Sequence, residues 1–268
     1  MTVCVGAICE GGKCAVVAAD RMVTFGPPMM LTTQPPAFSK IQRLTDQVAL
    51  LFAGSVADGE TLVNLTRTSI GIQAKPSMAA IADMAKAAYA SHKKRRVEET
   101  ILAPYLGTDF PGFQALVAQS AASQVLGQVL GMVAQHNLQL EVLIAGLDDT
   151  GAHLVVVNHP GQVVPMNSTG FVAVGSGGIH AGVRMSLGQH TPSATLTDTL
   201  YNVYEAKRAA EVAPGVGPLT DMAVIKEEKT FPVSSELFKV LEDIHKDRPT
   251  PSADELKRLK EACDVCCK

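Results

Sequence analysis

The start of the chain alternates apolar runs with short polar turns, a pattern that predicts two β-hairpins. Residues 3–8 and 14–19 are apolar runs on either side of a turn at residues 10–13, and Asp20 ends the second run. Residues 40–44 and 48–53 form the second pair of runs, and Gly54 ends it. Proline-rich residues 25–36 between the hairpins predict a loop.

After Gly54 the apolar spacing changes to that of helices. Ser55 is placed to cap a helix that runs to about residue 70, and Ser77 is placed to cap a second one. A third helical segment is expected at about residues 112–137, within the uncharged stretch 110–140. Six glutamines interrupt that stretch, so we expect a buried helix rather than a membrane span. Its small residues would let a neighbouring backbone approach closely.

Strand patterns return in the second half of the chain and are followed again by helices. Strands are predicted at residues 143–146, 153–158, 172–174 and 221–226, and helices at 179–187 and 196–212. Two short helices are expected at the end of the chain, the second opened by a capping box from Ser252 to Glu255. This order favours an α+β protein, a four-layer αββα sandwich over residues 1–230, with a helical C-terminal extension at 231–268.

Composition narrows the expected partners and setting. A chain with 47% hydrophobic and 18% charged residues is not disordered, and its net charge of −3 with no Trp argues against nucleic acid. No basic residue precedes the first apolar run, so we expect no secretory signal, no membrane contact and a cytoplasmic protein with free thiols. Cys263, Cys266 and Cys267 include one CxxC spacing, but no second pair supports it, so no metal or other cofactor is expected.

Seven short segments carry a joint signal: residues 2–6, 18–21, 40–41, 53–58, 143–146, 175–178 and 215–225. Each segment is weakly specific alone. Together, and in this order, they resemble the proteasome-type N-terminal nucleophile hydrolases, a family that includes the β subunits of the 20S proteasome and simpler bacterial peptidase rings. The resemblance covers residues 2 to about 226 and leaves out residues 93–110 and the tail.

The resemblance implies that Thr2 is the nucleophile. A threonine hydroxyl needs an adjacent base, and an N-terminal threonine carries one in its own α-amine, which titrates near pH 8. This requires removal of Met1, because the nitrogen of Thr2 is otherwise an amide. The resemblance further implies that Lys40 lowers the cost of ionising the hydroxyl and that Asp20 pairs with that lysine.

Three further residues are implied by the same resemblance. Gly54 corresponds to the glycine whose N–H group faces the developing oxyanion, and Ser176 to the serine that bonds near the terminal amine. Glu211 stands where β subunits usually have an aspartate. Pro214 stands where they usually have a serine, and it has neither hydroxyl nor N–H to replace that serine's hydrogen bond.

The resulting hypothesis is a threonine-type amide or peptide hydrolase, assembled as a homo-oligomeric ring as members of the family are. Its substrate would be a peptide or another amide, and the family relationship allows an ATPase or activator partner. The alternative is a non-catalytic ring or scaffold subunit that retains Met1. His180 is a further candidate for the substrate cleft, although a histidine at a helix start is commonly structural.

Overall fold

The computed structural model describes residues 2–24, 31–35, 38–71, 75–119, 123–227 and 229–246. The chain divides into two units, residues 1–232 and 233–268. The described part of the second unit contains one helix, α8 (Ser235–Lys246). The predicted capping box at 252–255 and the three C-terminal cysteines lie outside the described residues.

The first unit contains twelve strands and seven α-helices among its described residues. Its strands are β1 (Cys4–Cys9), β2 (Cys14–Asp20), β3 (Val23–Thr24), β4 (Thr32–Thr33), β5 (Ile41–Thr45), β6 (Val48–Ala53), β7 (Glu141–Asp148), β8 (Gly151–Asn158), β9 (Gln162–Pro165), β10 (Phe171–Val174), β11 (Thr220–Ile225) and β12 (Thr230–Pro232). Its helices are α1 (Val56–Ile70), α2 (Met78–Val97), α3 (Ala103–Leu106), α4 (Phe110–Gln119), α5 (Gln124–Gln135), α6 (Gly178–Leu187) and α7 (Leu196–Ala209). A π-helical turn (Glu98–Leu102) joins α2 to α3, and a 3-10 turn (Ala210–Val212) follows α7.

The strands form two five-stranded antiparallel sheets. The first has the order β10-β1-β2-β11-β12 and the second β5-β6-β7-β8-β9, while β3 and β4 pair separately. Every residue of β1, β2 and β6 is buried, because both faces of these central strands are covered. The chain direction within each hairpin brings the start of β1 and the ends of β2 and β6 to one end of the sheets.

The packing of the elements confirms the predicted α+β fold and its layers. Apolar side chains of the two sheets, such as Val17, Leu51 and Leu143, form one core between the sheets. A second core lies between the second sheet and helices α1 and α2. Helices α6 and α7 contact β10, β1 and β2 on the outer side of the first sheet. Ser55 and Ser77 cap α1 and α2 as predicted, each accepting a backbone N–H group.

Two local expectations are wrong. The loop predicted at residues 25–36 includes β4, because Thr32 and Thr33 pair with Thr24 and Val23. The expected helix at 112–137 is built as two helices, α4 and α5, and most of it is exposed: only Phe113 is buried in α4, and Val125 of α5 is 57% exposed. Its buried residues share a small cluster with the π-helical turn.

The small residues of α5 do not make the expected backbone contact. A Cβ atom added at Gly127 or Gly131 would meet no other heavy atom within 4 Å among the described residues. The apolar positions of α4 and α5 outnumber those that the small cluster can cover, which explains the exposure. No helix in the described part of the chain is both long and apolar enough to span a membrane.

Candidate active site

A cleft of about 610 Å³ opens at the end of the sheets where β1 begins. Its walls come from both sheets, since strand ends and the segments that join them meet there. The residues that line it are Thr2, Thr24, Ala53, Gly54, Ser55, Asn137, Leu138, Gln139, Leu140, Glu141, Asn158, His159, Gly175 and Ser176.

Thr2 lies at the bottom of this cleft, directly before β1, and is only 2% exposed. Its backbone N–H donates to Ser176 Oγ at 3.1 Å. Its carbonyl oxygen accepts from the Ser176 hydroxyl at 3.3 Å and from the Gly177 N–H at 3.2 Å. Ser176 and Gly177 follow β10, which pairs with β1, so sheet pairing brings this turn to Thr2.

Lys40 reaches the Thr2 hydroxyl from the other sheet. Its Nζ donates to Thr2 Oγ1 at 2.5 Å, to Asp20 Oδ1 at 2.9 Å and to the carbonyl oxygen of Met22 at 2.6 Å. The three acceptors use the three N–H groups of the ammonium. Lys40 is 2% exposed, so its positive charge lies in a poorly solvated place beside the hydroxyl.

The carboxylate of Asp20 is fully buried and fully bonded. Oδ1 accepts from the Val3 N–H at 3.0 Å and from Lys40, and Oδ2 accepts from the N–H groups of Met22 at 2.9 Å and Gly217 at 3.2 Å. A buried charge is tolerated when it is paired and hydrogen-bonded, and Asp20 meets both conditions. Asp20 therefore balances Lys40 and fixes its position.

Gly54 ends β6 at the edge of the cleft, with φ of +135°, a conformation that favours glycine. A Cβ atom added there would lie 2.3 Å from the carbonyl oxygen of Gln139, closer than any side chain can approach. The segment before β7 therefore passes directly against Gly54. The backbone of Gly54 lies in the cleft wall with no side chain in front of it.

The comparisons with known proteins agree with this arrangement. A family model described as proteasome subunit matches residues 2–103. This stretch of the chain is therefore similar to proteasome subunits. The match includes Thr2, Asp20, Lys40 and Gly54, which the structure places around one end of the sheets. No curated protein matches the chain.

Two of the residues taken from the proteasome-type resemblance lie outside the matched stretch. Ser176 lies at the cleft, in contact with Thr2. Glu211 lies in the 3-10 turn after α7, where it pairs with Lys207 at 2.6 Å and Arg208 at 3.3 Å. It is not one of the described residues that line the cleft, so its place in the site stays a prediction.

Lys207 connects Glu211 to the Asp20 region. It is fully buried, and it donates to the carbonyl oxygen of Pro218 at 2.8 Å, next to the Gly217 N–H group that binds Asp20. Burial lowers the pKa of Lys207, while the hydrogen bond and charge of Glu211 raise it. Glu211 thus neutralises a buried lysine that supports the turn against Asp20.

One wall of the cleft is made of residues that the sequence does not predict to be part of the site. The segment from Asn137 to Glu141 and the residues Asn158 and His159 line it, at the start of β7 and the end of β8. No motif signals these residues, because they belong to the site only through the pairing of β7 with β6 and β8. His180, a sequence candidate for the cleft, is exposed on α6 and is not among the described lining residues.

The thiols of Cys4 and Cys9 are poorly suited to act as nucleophiles. Cys4 is buried beside the charged cluster, and its pKa is raised by burial; the pKa of Cys9 is raised to about 12, mainly for the same reason. Thiols with such raised pKa values are poor nucleophiles. Among the described residues there is no group of three or more His, Cys, Asp or Glu that could hold a metal ion.

Proposed function

We propose that the chain is a threonine-type amide or peptide hydrolase in which Thr2 becomes the nucleophile after removal of Met1. The observation that carries the proposal is the 2.5 Å contact between Lys40 Nζ and Thr2 Oγ1 at the bottom of an open cleft. A surface lysine contributes little to a neighbouring hydroxyl, but a buried ammonium favours its ionised form strongly.

In the proposed reaction the Thr2 hydroxyl oxygen attacks the amide carbonyl carbon. The hydroxyl proton passes to the free α-amine of Thr2, and from there to the leaving amine as the C–N bond breaks. An ester between Thr2 and the acyl group remains. A water molecule, activated by the same amine, attacks this ester and releases the acid and the threonine hydroxyl.

The neighbouring groups stabilise charge during these steps. Lys40 lies where the alkoxide develops, and Asp20 pairs with its ammonium and holds it in place. Gly54 is proposed to offer its N–H group to the oxyanion, which its lack of a side chain permits. Ser176, in contact with the nitrogen of Thr2, orients the amine. Glu211 acts at a distance, as a positioning residue, through Lys207 and the turn that contacts Asp20.

We extend the proposal to assembly as a closed homo-oligomeric ring in a cytoplasmic setting, with residues 1–230 as the hydrolase domain, 231–268 as a helical extension, and an ATPase or activator as a further partner. Helix α6 carries an exposed apolar row: Ile179 is 79%, Val183 55% and Leu187 75% exposed. Rows of this kind are typical of surfaces that other chains cover. Native mass measurement of the full chain should give one discrete multiple of its mass.

The test of the catalytic proposal combines intact mass with a threonine-directed electrophile, a β-lactone or an epoxyketone. We expect a chain that lacks one methionine and gains one adduct, mapped by fragmentation to the new N-terminal peptide. Mapping is required because Cys263, Cys266 and Cys267 are also potential acceptors.

Thr2→Ala should lose the adduct and all measurable amide hydrolysis, a loss on the order of 10³-fold or more. Thr61→Ala is the matched control, because Thr61 is half-buried on α1, outside the described lining of the cleft, and its hydroxyl donates to the carbonyl oxygen of Ala57 in its own helix. An unprocessed chain that gains no adduct would instead favour the alternative, a non-catalytic ring or scaffold subunit.

A further inference from the structure

Glu141 is a charged residue of the cleft that the proposed reaction does not use. It opens β7, is exposed, and its Oε2 accepts the N–H group of Gly175 at 2.7 Å. Gly175 directly precedes Ser176, which contacts the nitrogen of Thr2. The carboxylate is therefore held on the cleft wall close to the nucleophile.

No Lys or Arg side chain balances Glu141 among the described residues that line the cleft. The α-amine that Thr2 gains on removal of Met1 lies at the bottom of the cleft, where the proposed reaction uses it as a base. Lys40 lies beneath the surface with its three donors directed to Thr2, Asp20 and Met22. The accessible wall thus presents a negative charge to a substrate.

Two positive side chains lie behind this wall. Burial lowers the pKa of His136, one residue before the lining segment, and the charges of Lys93 and Arg96 lower it further. Arg96 is paired with Asp58 and Glu99, at 3.6 and 3.5 Å. Its charge is therefore balanced by carboxylates other than Glu141.

The same wall contains buried polar atoms without a partner. They are the amide oxygen Oδ1 of Asn158, which is an acceptor, and the ring nitrogen Nδ1 of His159, and neither has a hydrogen-bond partner within the part of the chain that the structure describes. An unpaired buried acceptor costs free energy, so a ligand that brings donors is favoured there. Ammonium and guanidinium groups carry three and five N–H donors with a positive charge.

We propose that Glu141, with Asn158 beside it, forms a subsite for a cationic group of the substrate, a lysine- or arginine-type side chain. This rests on the proposed function, since the group must be part of the amide that Thr2 cleaves. Glu141 would set which substrates are cleaved, through binding of the substrate and not through the chemical step.

The test compares peptide amides that differ only by arginine or citrulline, placed in turn at each position on either side of the cleaved bond. Citrulline keeps the shape of arginine but not its charge. At one position arginine should give a kcat/KM higher by about two- to five-fold, the range for a partly exposed ion pair. In Glu141→Gln this ratio should fall to about one, while the amide oxygen can still accept the Gly175 N–H group.

Asp149→Asn is the matched control. Asp149 follows the far end of β7, about 25 Å along the strand from Glu141 by strand geometry, and its loss removes the same charge. The variant should keep the arginine preference. Equal rates for arginine and citrulline at every position, or a preference that survives in Glu141→Gln, would overturn the subsite.

A binding measurement separates failure of the subsite from failure of the proposed function. In the full chain carrying Thr2→Ala, butylguanidine should perturb NMR signals of the cleft, and its neutral isostere butylurea should not. Adding Glu141→Gln should abolish the response. If no Thr2-dependent hydrolysis exists, this result still supports the subsite, whereas absence of guanidinium binding in the Thr2→Ala chain contradicts it.

Discussion

Carboxylates at the two ends of the paired sheets receive their hydrogen bonds in different ways. At the cleft end, Asp20 is fully buried and bonds groups that are distant in sequence, from Val3 to Gly217. At the opposite end, Asp148 is the last residue of β7, directly before the hairpin turn to β8. It accepts the backbone N–H and hydroxyl of Thr150 and contacts His153, with one further donor, the Met78 N–H.

The difference shows what a buried charge requires. The Asp148 cluster is largely completed within a few residues of one turn, so it forms wherever that hairpin forms. The Asp20 cluster exists only when two sheets and the 217–218 turn have come together. It also holds an ammonium against a hydroxyl that opens to a cleft, which the other end does not do.

Of the substitutions that compare the two ends, Lys40→Arg at the cleft end should reduce activity the most. In Lys40→Arg the positive charge beside Asp20 remains and the fold should persist, but a guanidinium cannot reproduce the Nζ position at 2.5 Å from Thr2 Oγ1. We expect hydrolysis and adduct formation to slow by about 100-fold. The measurement is the rate of adduct formation by intact mass, with circular dichroism to check the fold.

Lys207→Arg serves as the control for this lysine. It changes a second buried lysine in the same unit that bonds Glu211 and Pro218 but not Thr2. It should lower the melting temperature and slow adduct formation far less than Lys40→Arg does, because Lys207 acts on the site only through the turn that contacts Asp20. A Lys40→Arg protein that reacts at the wild-type rate would show that Lys40 has only a structural role.

Glycine-to-alanine substitutions at the two ends test how tightly each glycine is packed. Gly54→Ala places a Cβ atom 2.3 Å from a backbone oxygen and strains a φ of +135°, and we expect a loss of about 2–4 kcal/mol of unfolding free energy. Gly11 in the β1–β2 turn has φ of +65° but open space around it, so Gly11→Ala should cost about 1 kcal/mol. Urea unfolding measures both. Equal losses would mean that the contact with Gln139 is not rigid.

The smallest effect is expected at Asp148. Burial raises its pKa, but hydrogen bonds from Thr150 and Met78 and the charge of His153 outweigh this and hold the pKa well below its usual range. A carboxyl with a depressed pKa stabilises the fold above the unfolded pKa near 4, and this contribution is lost as the pH falls further.

Asp148→Asn should therefore cost about 1–2 kcal/mol at pH 7 and less near pH 3. Urea unfolding at the two pH values checks this, and the adduct rate should not change. A cost that is the same at both pH values would show that the charge of Asp148 does not contribute.

Local patterns accounted for most elements of the fold. The two N-terminal hairpins and the caps at Ser55 and Ser77 follow from apolar alternation and from side chains that bond their own backbone, and both are local effects. For the glutamine-bearing segment, apolar spacing predicts helical structure correctly and burial wrongly. Periodicity describes which face of a helix is apolar, not whether another element is available to cover it.

Residue patterns alone predict most of the strands and helices, and the family resemblance points to Thr2, Asp20, Lys40 and Gly54 as parts of one site. The pairing and packing of the sheets place Glu141, Asn158 and His159 in the cleft with Thr2, and Glu211 pairs with Lys207 instead of joining the described residues that line the cleft. Hydrogen-bonded turns and apolar periods act over a few residues, whereas a cleft wall depends on which strands pair and how two sheets pack. That information is distributed over the whole chain, and no short segment carries it.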